Sequence, residues 1–372
     1  MLLMAAVHSA LDIDNMGLKS IYIKNGTLWD GESFSQRDIY VREGFIKEIG
    51  ETSLKDADFI YDAKGKIVSA GLVDIHMHMR GVSVADFGTQ AESAAFPHGV
   101  TAGVDAGAGL GDKNALEFMA LKNVVFSGVA IENNRPNFEN LEKRFKLYGD
   151  KNIGIKVYFD TANAPIENIN PLKEICDYAK ERNLKVMVHC TGTPVPLSEV
   201  VATLNSGDIL THAYNGSENN AAANDFKSLK EAKERGVIID AGMAGGVHTD
   251  FKVLKAAIEK GATPDAISTD ITSYSAHLRG GDYGLCLCMS IFSYLGLPEE
   301  KIFASVTKNA AKAVGKENEW GSLKVGGASD IAVFDKNGDG FDISDRWGNH
   351  IKSDKGYRCL LTISDGQIVY KR

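Results

Sequence analysis

The chain has 372 residues and a mass of 40.2 kDa, with 44% hydrophobic residues, 24% charged residues and a formal net charge of -8. This length suits one large α/β domain with a smaller companion, and the acidic balance argues against a nucleic-acid-binding surface, which requires clustered basic residues. A membrane span is also excluded, because the sequence contains no run of 18 apolar residues.

The first fifteen residues are predicted to form a poorly organised extension. They are apolar at the start but lack the basic region of a signal peptide and soon reach Asp12 and Asp14. A native extension and a start-site artefact both fit this composition. The five cysteines are an odd number and widely scattered, which makes a disulfide framework unfavourable. We therefore expect a cytoplasmic protein.

Short strand-forming runs alternate with turns at both ends of the chain. Residues 19–68 contain several such runs separated by turns such as Asn25-Gly26, and residues 321–370 have the same texture. This repetition predicts one small β domain built from residues 16–70 and 317–372. The larger domain, residues 71–316, is then inserted between its two halves.

Residues 71–316 alternate apolar strand-like runs with helical segments, which is typical of βα units around a parallel sheet. Eight such runs can be counted, at residues 72–76, 100–105, 124–131, 153–159, 185–189, 208–211, 237–241 and 266–269. Eight is the number of strands that closes a (β/α)8 TIM barrel. The active site of such a barrel lies at the carboxyl ends of its strands, so the residues at those ends predict the chemistry.

Chemically reactive side chains are concentrated at the predicted strand ends. His76 and His78 lie two residues apart at the end of the first strand, so their imidazoles point to the same face. The other members lie at or near the ends of strands four, five, six and eight, and they are Lys156, His189, His212 and Asp270. Singly, each has an ordinary explanation as a core histidine, a snorkelling lysine or a helix N-cap. Together at one barrel mouth they predict a metal centre.

Two further features adjoin these strand ends. Asp74, two residues before His76, either orients a ligand or forms a structural salt bridge. The glycine-rich turn at residues 242–246 follows the seventh strand and is of a kind that offers backbone N–H groups to an anion. It lacks the spacing of a dinucleotide-binding loop or a P-loop.

The order and strand placement of this set resemble the binuclear-metal amidohydrolase superfamily. The residues that carry the resemblance are Asp74-x-His76-x-His78, Lys156, His189, His212 and Asp270. It covers nearly the whole chain and implies a (β/α)8 barrel with a small β-sandwich formed by both termini. The ending Asp342-x-x-Asp345-x-x-Gly348-Asn349 looks most like a bacterial deacetylase-like group near the dihydroorotases.

The resemblance implies two divalent metal ions and a role for each strand-end residue. Zinc is favoured, while manganese, iron and nickel stay open by ligand type. His76, His78 and Asp270 would hold the more buried ion, and His189 and His212 the more exposed one. Lys156, carboxylated by CO2, would bridge the two ions through its carbamate. A shared hydroxide would be the nucleophile, with Asp270 acting first as general base and then as general acid.

Four residues are candidates for substrate contacts. Arg80 continues the alternation of His76 and His78 and would meet a carboxylate, as the corresponding arginine does in dihydroorotases, although Gly81-Val82-Ser83 replaces the Glu-Pro-Gly that often follows there. Tyr158 either hydrogen-bonds the oxyanion or packs in the barrel. His277 and Arg279, in the loop after the eighth strand, either bind a carboxylate or are solvated.

These observations predict a metal-dependent hydrolase that cleaves an amide or ester bond of a small organic acid, in the manner of a deacetylase. The alternative within enzymes is a cyclic-amide hydrolase of the dihydroorotase or hydantoinase type. The competing class is a non-catalytic metalloprotein that kept the barrel as a scaffold. We expect a small-molecule substrate, no nucleic-acid or membrane partner, and leave self-association open.

Overall fold

The computed structural model describes residues 18–50, 56–83, 87–162, 165–278 and 283–372, and the predicted extension at residues 1–15 lies outside them. In the amino-terminal part the strands are β1 (Ser20–Trp29), β2 (Phe34–Arg42), β3 (Phe45–Gly50), β4 (Phe59–Asp62) and β5 (Ile67–Ala70). In the central part they are β6 (Leu72–Met77), β7 (Val100–Ala108), β8 (Lys122–Val129), β9 (Ile131–Glu132), β10 (Arg135–Pro136), β11 (Asn152–Tyr158), β12 (Lys185–His189), β13 (Ile209–Thr211) and β14 (Ile238–Asp240). The last part contains β15 (Ile331–Gly338), β16 (Phe341–Ser344), β17 (His350–Ser353), β18 (Gly356–Ser364) and β19 (Gln367–Lys371).

The helices follow the central strands and continue to the start of the last part. They are α1 (Ala91–Ala95), α2 (Lys113–Glu117), α3 (Phe138–Tyr148), α4 (Asn170–Glu181), α5 (Leu197–Thr203), α6 (Lys227–Glu234), α7 (Phe251–Glu259), α8 (Ser273–Leu278), α9 (Leu285–Tyr294), α10 (Glu299–Val306) and α11 (Lys308–Ala313). Helix α4 shows why they pack on the strands: Leu172, Ile175 and Ala179 are buried at helical spacing on one face. None of the helices in the described ranges combines the length and apolarity that crossing a bilayer requires.

Strands from both ends of the chain form one eight-stranded sheet. Its order is β19-β18-β15-β5-β1-β2-β3, with β4 also paired to β1. Alternate side chains such as Ile39, Val41 and Val333 point into a shared apolar core. The sheet curls on itself, so that its β3 edge reaches the segment just before β15. There the Ile46 N–H donates to the Gly327 carbonyl at 3.0 Å. Strands from both ends of the chain therefore belong to one sheet.

The central strands form a parallel sheet of seven strands in the order β14-β13-β12-β11-β8-β7-β6. Every residue of β6 and β7 is buried, which fits their near-continuous apolar sequences, because a parallel sheet is covered on both faces. These seven strands correspond to the first seven predicted runs. The exact limits of the two predicted domains stay a prediction.

The eighth predicted run, residues 266–269, is not a regular strand, and this is a correction. Single parallel bridges join Ala266 to Asp240 of β14 and Ile271 to Met77 of β6. The Asp270 N–H also donates to the His76 carbonyl at 2.7 Å. Regular pairing is interrupted because Asp270 adopts a left-handed backbone conformation with φ of 49°. Residues 265–271, which we call the closing segment, nevertheless link both edges of the seven-stranded sheet.

Candidate metal centre

All six predicted ligands meet at the carboxyl ends of the parallel strands. His76 and Lys156 lie within β6 and β11, His189 ends β12, and the others follow strands β6 and β13 or lie in the closing segment. Each of the six residues is at most 6% exposed. Two of them, His212 and Asp270, have positive φ angles of 68° and 49°. Such conformations cost free energy outside glycine and are found preferentially at functional sites.

The first donor group consists of His76, His78 and Asp270. Asp270 Oδ1 lies 3.2 Å from His76 Nε2 and 3.0 Å from His78 Nε2. The ligand atoms of the three residues all lie within 4.8 Å of one another. Two imidazole nitrogens and one carboxylate oxygen thus converge on one small volume.

The second donor group contains His189 and His212, as predicted, and also His248, which the sequence analysis missed. The ligand atoms of the three histidines lie within 4.8 Å of one another. The ring centroid of His248 is 4.8 Å from that of His189 and 4.4 Å from that of His212. His248 lies two residues after the glycine-rich turn that follows β14. Extending the search of strand ends beyond that turn would have found it.

The two donor groups face each other across Asp270. Its Oδ2 atom lies 3.8 Å from both His212 Nε2 and His248 Nε2, whereas its Oδ1 atom faces the first group. Lys156 also reaches the centre, with Nζ 2.9 Å from His76 Nε2. One carboxylate therefore adjoins both groups, and one amine adjoins the first group.

Most of these imidazoles are oriented by a hydrogen bond to the ring nitrogen that faces away from the centre. The Nδ1 partners are Thr211 Oγ1 at 3.0 Å for His76, Ser83 Oγ at 2.7 Å for His78 and the Gly242 carbonyl at 2.6 Å for His212. His189 differs, since its Nε2 lies 3.5 Å from Asp160 Oδ2. Partners of this kind fix the tautomer of a metal-binding histidine and raise its basicity.

Asp240 supports the orientation of the His76 ring through Thr211. It is completely buried and accepts hydrogen bonds from Thr211 Oγ1 at 2.7 Å and Ser268 Oγ at 2.7 Å. Because Thr211 Oγ1 donates its proton to Asp240, its lone pair is available to His76 Nδ1. The chain thus directs the second nitrogen of His76 towards the centre.

Asp74 acts through the backbone rather than through an imidazole. Its carboxylate accepts hydrogen bonds from Thr269 Oγ1 at 2.6 Å, from the Thr269 N–H at 3.1 Å and from the His76 N–H at 3.2 Å. Burial raises the pKa of Asp74 to about 7. Tyr283 donates to the Thr269 carbonyl at 2.5 Å from the other side. Asp74 therefore ties the closing segment, and with it Asp270, to strand β6.

Burial sets the protonation state of the donors. It lowers the pKa of His78 and of His248 to about 4, and it lowers the pKa of His189 and of His212 well below the ordinary value. Near neutral pH these four imidazoles are therefore uncharged and hold a lone pair. Burial opposes ionisation of Asp270, but His76 overcomes that effect and holds the pKa of this carboxyl well below its usual range.

Lys156 is an amine without exposure to solvent. Burial lowers its pKa to about 8, and its Nζ contacts only His76 Nε2 and, at 3.8 Å, Met187 Sδ among the described atoms within bonding distance. A substantial fraction of this amine is therefore neutral near pH 7.5. A neutral amine is the form that reacts with CO2.

The donors fit divalent metal ions. Imidazole nitrogen and carboxylate oxygen are the ligand types of zinc and its neighbours. His212 Nε2 is buried without a hydrogen-bond partner among the described residues, while Nδ1 of the same ring donates to Gly242. A buried polar atom without a partner destabilises the fold unless a bound ligand pairs with it. An ion at the second group would satisfy it.

The four predicted substrate residues differ in burial, and the side chains of two of them lie outside the described residues. Arg80 is exposed at the end of β6. The Tyr158 hydroxyl is buried and has no hydrogen-bond partner among the described residues, and its ring centroid lies 5.8 Å from that of His189. His277 belongs to α8, but its side chain lies outside the described residues, and Arg279 lies wholly outside them.

The glycine-rich turn does not offer free donors at four of its five positions. The N–H groups of Gly242 and Met243 donate to the Oγ and carbonyl oxygens of Ser268, both at 3.2 Å. The Ala244 N–H donates to the Thr269 carbonyl at 2.8 Å, and the Gly246 N–H donates to the Met243 carbonyl at 2.9 Å. These bonds position the turn against the closing segment. The expected anion site at residues 242–246 therefore lacks these four donors.

Comparison with known proteins gives three kinds of similarity. The sequence profile described as the amidohydrolase family matches residues 67–369. A deacetylase of Agrobacterium fabrum is 28% identical over 330 residues, covering 82% of this chain and 80% of that protein, and a deacetylase of Enterococcus faecalis is 27% identical, covering 94% and 98%. The crystal structure of a dihydroorotase has a TM-score of 0.82 at 24% identity, covering 94% of this chain and 99% of that one. The chain therefore shares the fold of that structure.

Proposed function

The chain belongs to the amidohydrolase family, and on that premise we propose that it is a hydrolase that uses two divalent metal ions to cleave an acyl bond of a small organic acid. The bond is an amide or an ester, as the names of the deacetylase relatives indicate. The single observation that carries the proposal is the pair of three-residue donor groups, one of which contains Asp270 and the other of which faces its second carboxylate oxygen. One carboxylate within 4 Å of both groups suits a shared reaction centre.

The proposal assigns the donors to two ions, zinc being favoured. His76, His78 and Asp270 would hold the first, and His189 and His212 the second. The ions, when bound, lower the pKa of water towards neutrality and polarise the acyl carbonyl of the substrate. Lys156 would bridge them as a carbamate, because its neutral amine can add to CO2 with release of one proton. The product has two oxygen donors in place of a buried cation.

Asp270 would carry the proton. Its low pKa keeps it ionised, so it can accept a proton from the attacking water and then return it to the leaving nitrogen or oxygen. Its fixed position supports this role, because the Asp270 N–H donates to His76 and the neighbouring Thr269 is held by Asp74. Tyr158 is the best-placed donor for the developing oxyanion, since its buried hydroxyl has no protein partner among the described residues.

Arg80 is an exposed guanidinium at the end of β6, and we propose it as the contact for a substrate carboxylate, with His277 and Arg279 as further candidates. Hydrolysis of a cyclic amide is the second candidate function. Its support is the similarity in fold to a dihydroorotase.

We also propose a complete barrel, a β-sandwich companion and a cellular location. The seven parallel strands and the closing segment are proposed to form a (β/α)8 barrel, and the curled eight-stranded sheet to serve as the β-sandwich companion. A cytoplasmic location and a small-molecule partner are proposed with it. The five buried, unpaired cysteines are consistent with a reducing compartment.

A substrate screen tests the function directly. Protein reconstituted with Zn²⁺ is assayed against N-acyl and O-acyl derivatives of amino and hydroxy acids, with dihydroorotate and hydantoins as the cyclic-amide panel. We expect turnover in the acyl panel and metal content near two ions per chain. Asp270→Asn should abolish turnover by removing the proton carrier. Full activity in Asp270→Asn, or activity in protein free of metal, would contradict the mechanism, and turnover only of cyclic amides would transfer the assignment to the second candidate.

A further inference from the structure

We propose that His248 is a third imidazole ligand of the second metal ion, so that His189, His212 and His248 suffice to hold this ion even when Lys156 carries no carbamate. The inference rests on the proposed function, since it concerns one of the two ions assigned there. It goes beyond that function because it makes occupancy of the second site independent of lysine carboxylation. Loss of the bridge would then weaken the pairing of the ions without emptying the site.

The position of His248 supports ligation. Its Nε2 lies 3.8 Å from Asp270 Oδ2, the same distance as His212 Nε2, so both imidazoles present this nitrogen to the same carboxylate oxygen. Its ring is inclined by 85° to that of His189 and by 37° to that of His212. Three rings thus surround one point instead of stacking in parallel.

The bonding of His248 also sets it apart from a structural histidine. Its Nδ1 is buried without a partner, and no hydrogen bond from either ring nitrogen is found among the described residues. A core histidine normally uses at least one ring nitrogen in a protein hydrogen bond. Both ring nitrogens are therefore left open beside the two other imidazoles of the second group.

The chemistry of the donor set gives the second site its independence. Three histidines with one open position for water form a complete catalytic site for zinc in proteins that have no bridging group. His189, His212 and His248 supply that number from two strand ends and the turn after β14. The side chain of His248 is 19% exposed, whereas His212 is buried, so solvent reaches the second donor group on the side of His248.

The backbone holds His248 in place by a strained turn. Ala244, Gly245 and Gly246 have successive φ angles of 46°, 65° and 87°. Three consecutive left-handed residues reverse the chain sharply after β14 and return His248 to the mouth. The Ala244 N–H is fixed to the Thr269 carbonyl in the closing segment, so the turn and Asp270 are positioned together.

The test compares metal binding in variants that lack the bridging lysine. Lys156→Met replaces the buried amine by an apolar side chain of similar length beside Met187 and removes any carbamate. Metal-free protein is titrated with Co²⁺, and stoichiometry and affinity are followed by visible absorption and by metal analysis. We expect Lys156→Met to bind two Co²⁺ per chain, one at each donor group. Lys156→Met/His248→Ala should bind one ion as before and the second more than about 100-fold more weakly, because loss of an outer partner alone costs 10–100-fold.

His350→Ala in the same Lys156→Met background is the matched control. This histidine is exposed on β17 and pairs with Asp342 of β16. Its loss should therefore leave both binding steps unchanged. Lys156→Met/His248→Asn keeps a polar side chain of similar shape, and urea unfolding of each variant shows whether the fold is retained.

Equal affinity for the second ion in Lys156→Met and Lys156→Met/His248→Ala would overturn the inference. Binding of only one ion by Lys156→Met, with or without His248, would overturn it as well. Neither result affects the proposed function, provided that the wild-type chain binds two ions and turns over substrate. Failure of the proposed function would instead appear as a wild-type chain that binds no Co²⁺ in the same titration.

Discussion

Replacing Asp74 by alanine should destabilise the closing segment and displace Asp270. The carboxylate accepts three hydrogen bonds, at 2.6 and 3.1 Å from Thr269 and at 3.2 Å from the His76 N–H, and the residue is 1% exposed. Asp74→Ala leaves all three donors without this acceptor. The Thr269 hydroxyl retains a 3.4 Å contact with the His76 carbonyl, so the loss falls mainly on two buried backbone N–H groups.

The magnitude follows from the cost of leaving such groups unpaired. Each unsatisfied buried donor costs about 1–3 kcal/mol, and removal of the buried carboxyl recovers part of this, since burial already raises its pKa to about 7. We therefore expect Asp74→Ala to lower the free energy of unfolding by about 2–4 kcal/mol. Asp74→Asn keeps one acceptor oxygen and should cost about 1–2 kcal/mol. Thr269→Val removes only the hydroxyl and should cost about 1 kcal/mol.

Urea unfolding of metal-free protein in the presence of a chelator measures these differences without a contribution from bound ions. The same variants are then titrated with Zn²⁺, and Asp74→Ala should bind the first ion more weakly because Asp270 is no longer fixed. Asp342→Ala is the control, since this exposed aspartate lies outside the network. An unfolding free energy of Asp74→Ala within about 0.5 kcal/mol of wild type, the range of ordinary surface substitutions, would refute the reasoning.

Three further predictions concern the site itself. Burial lowers the folded-state pKa of His78 and of His248 to about 4, below the 6.5 of an unperturbed histidine, so on acidification these groups take up protons first in the unfolded chain. Between pH 7.5 and 5.5 each should lower the free energy of unfolding of metal-free protein by about 1 kcal/mol, while Asp74, whose pKa is raised to about 7, acts in the opposite direction. The histidine contribution is therefore measured by urea unfolding as the difference in pH dependence between wild type and His248→Asn, and equal pH dependence of the two would contradict the pKa assignment. Tyr158→Phe should lower kcat about 10–100-fold with little change in KM if the hydroxyl serves the oxyanion, while stability is retained because no protein hydrogen bond among the described residues is lost; unchanged kcat would leave Tyr158 a packing residue. Asp160→Asn should weaken the second Co²⁺ about 10–100-fold by removing the carboxylate that faces His189, and equal affinity would argue against that role.

Much of the site was predictable because parallel strands obey simple rules. Side-chain alternation placed His76 and His78 on one face, and strand ends of a parallel sheet meet at one edge, which brought His189 and Lys156 to the same centre. Those rules need only the local sequence. The predicted eighth strand, residues 266–269, is instead interrupted by the left-handed backbone of Asp270 and by the hydrogen bond from Thr269 to Asp74.

Other features were not predictable because they depend on contacts between distant segments. Asp240 lies 164 residues from His76, and nothing in its own strand marks it as the support of that ring. His248 follows a turn rather than a strand, and only the three left-handed residues before it bring it back to the mouth. Asp160 could not be predicted either, because its contact with His189 Nε2 arises only when β11 pairs with β12.

The closing segment has a consequence for the order in which the protein becomes active. Its Thr269 contacts Asp74 across a separation of 195 residues, whereas neighbouring strands of the seven-stranded sheet such as β6 and β7, or β11 and β12, pair over much shorter stretches of chain. Contacts of such high sequence separation form late, because the entropy of loop closure is lost before they can stabilise the structure. A chain with only its seven regular strands formed already carries five of the six predicted ligands but has no Asp270 beside them. The proposed proton carrier therefore joins the other five ligands only when the closing segment meets strand β6.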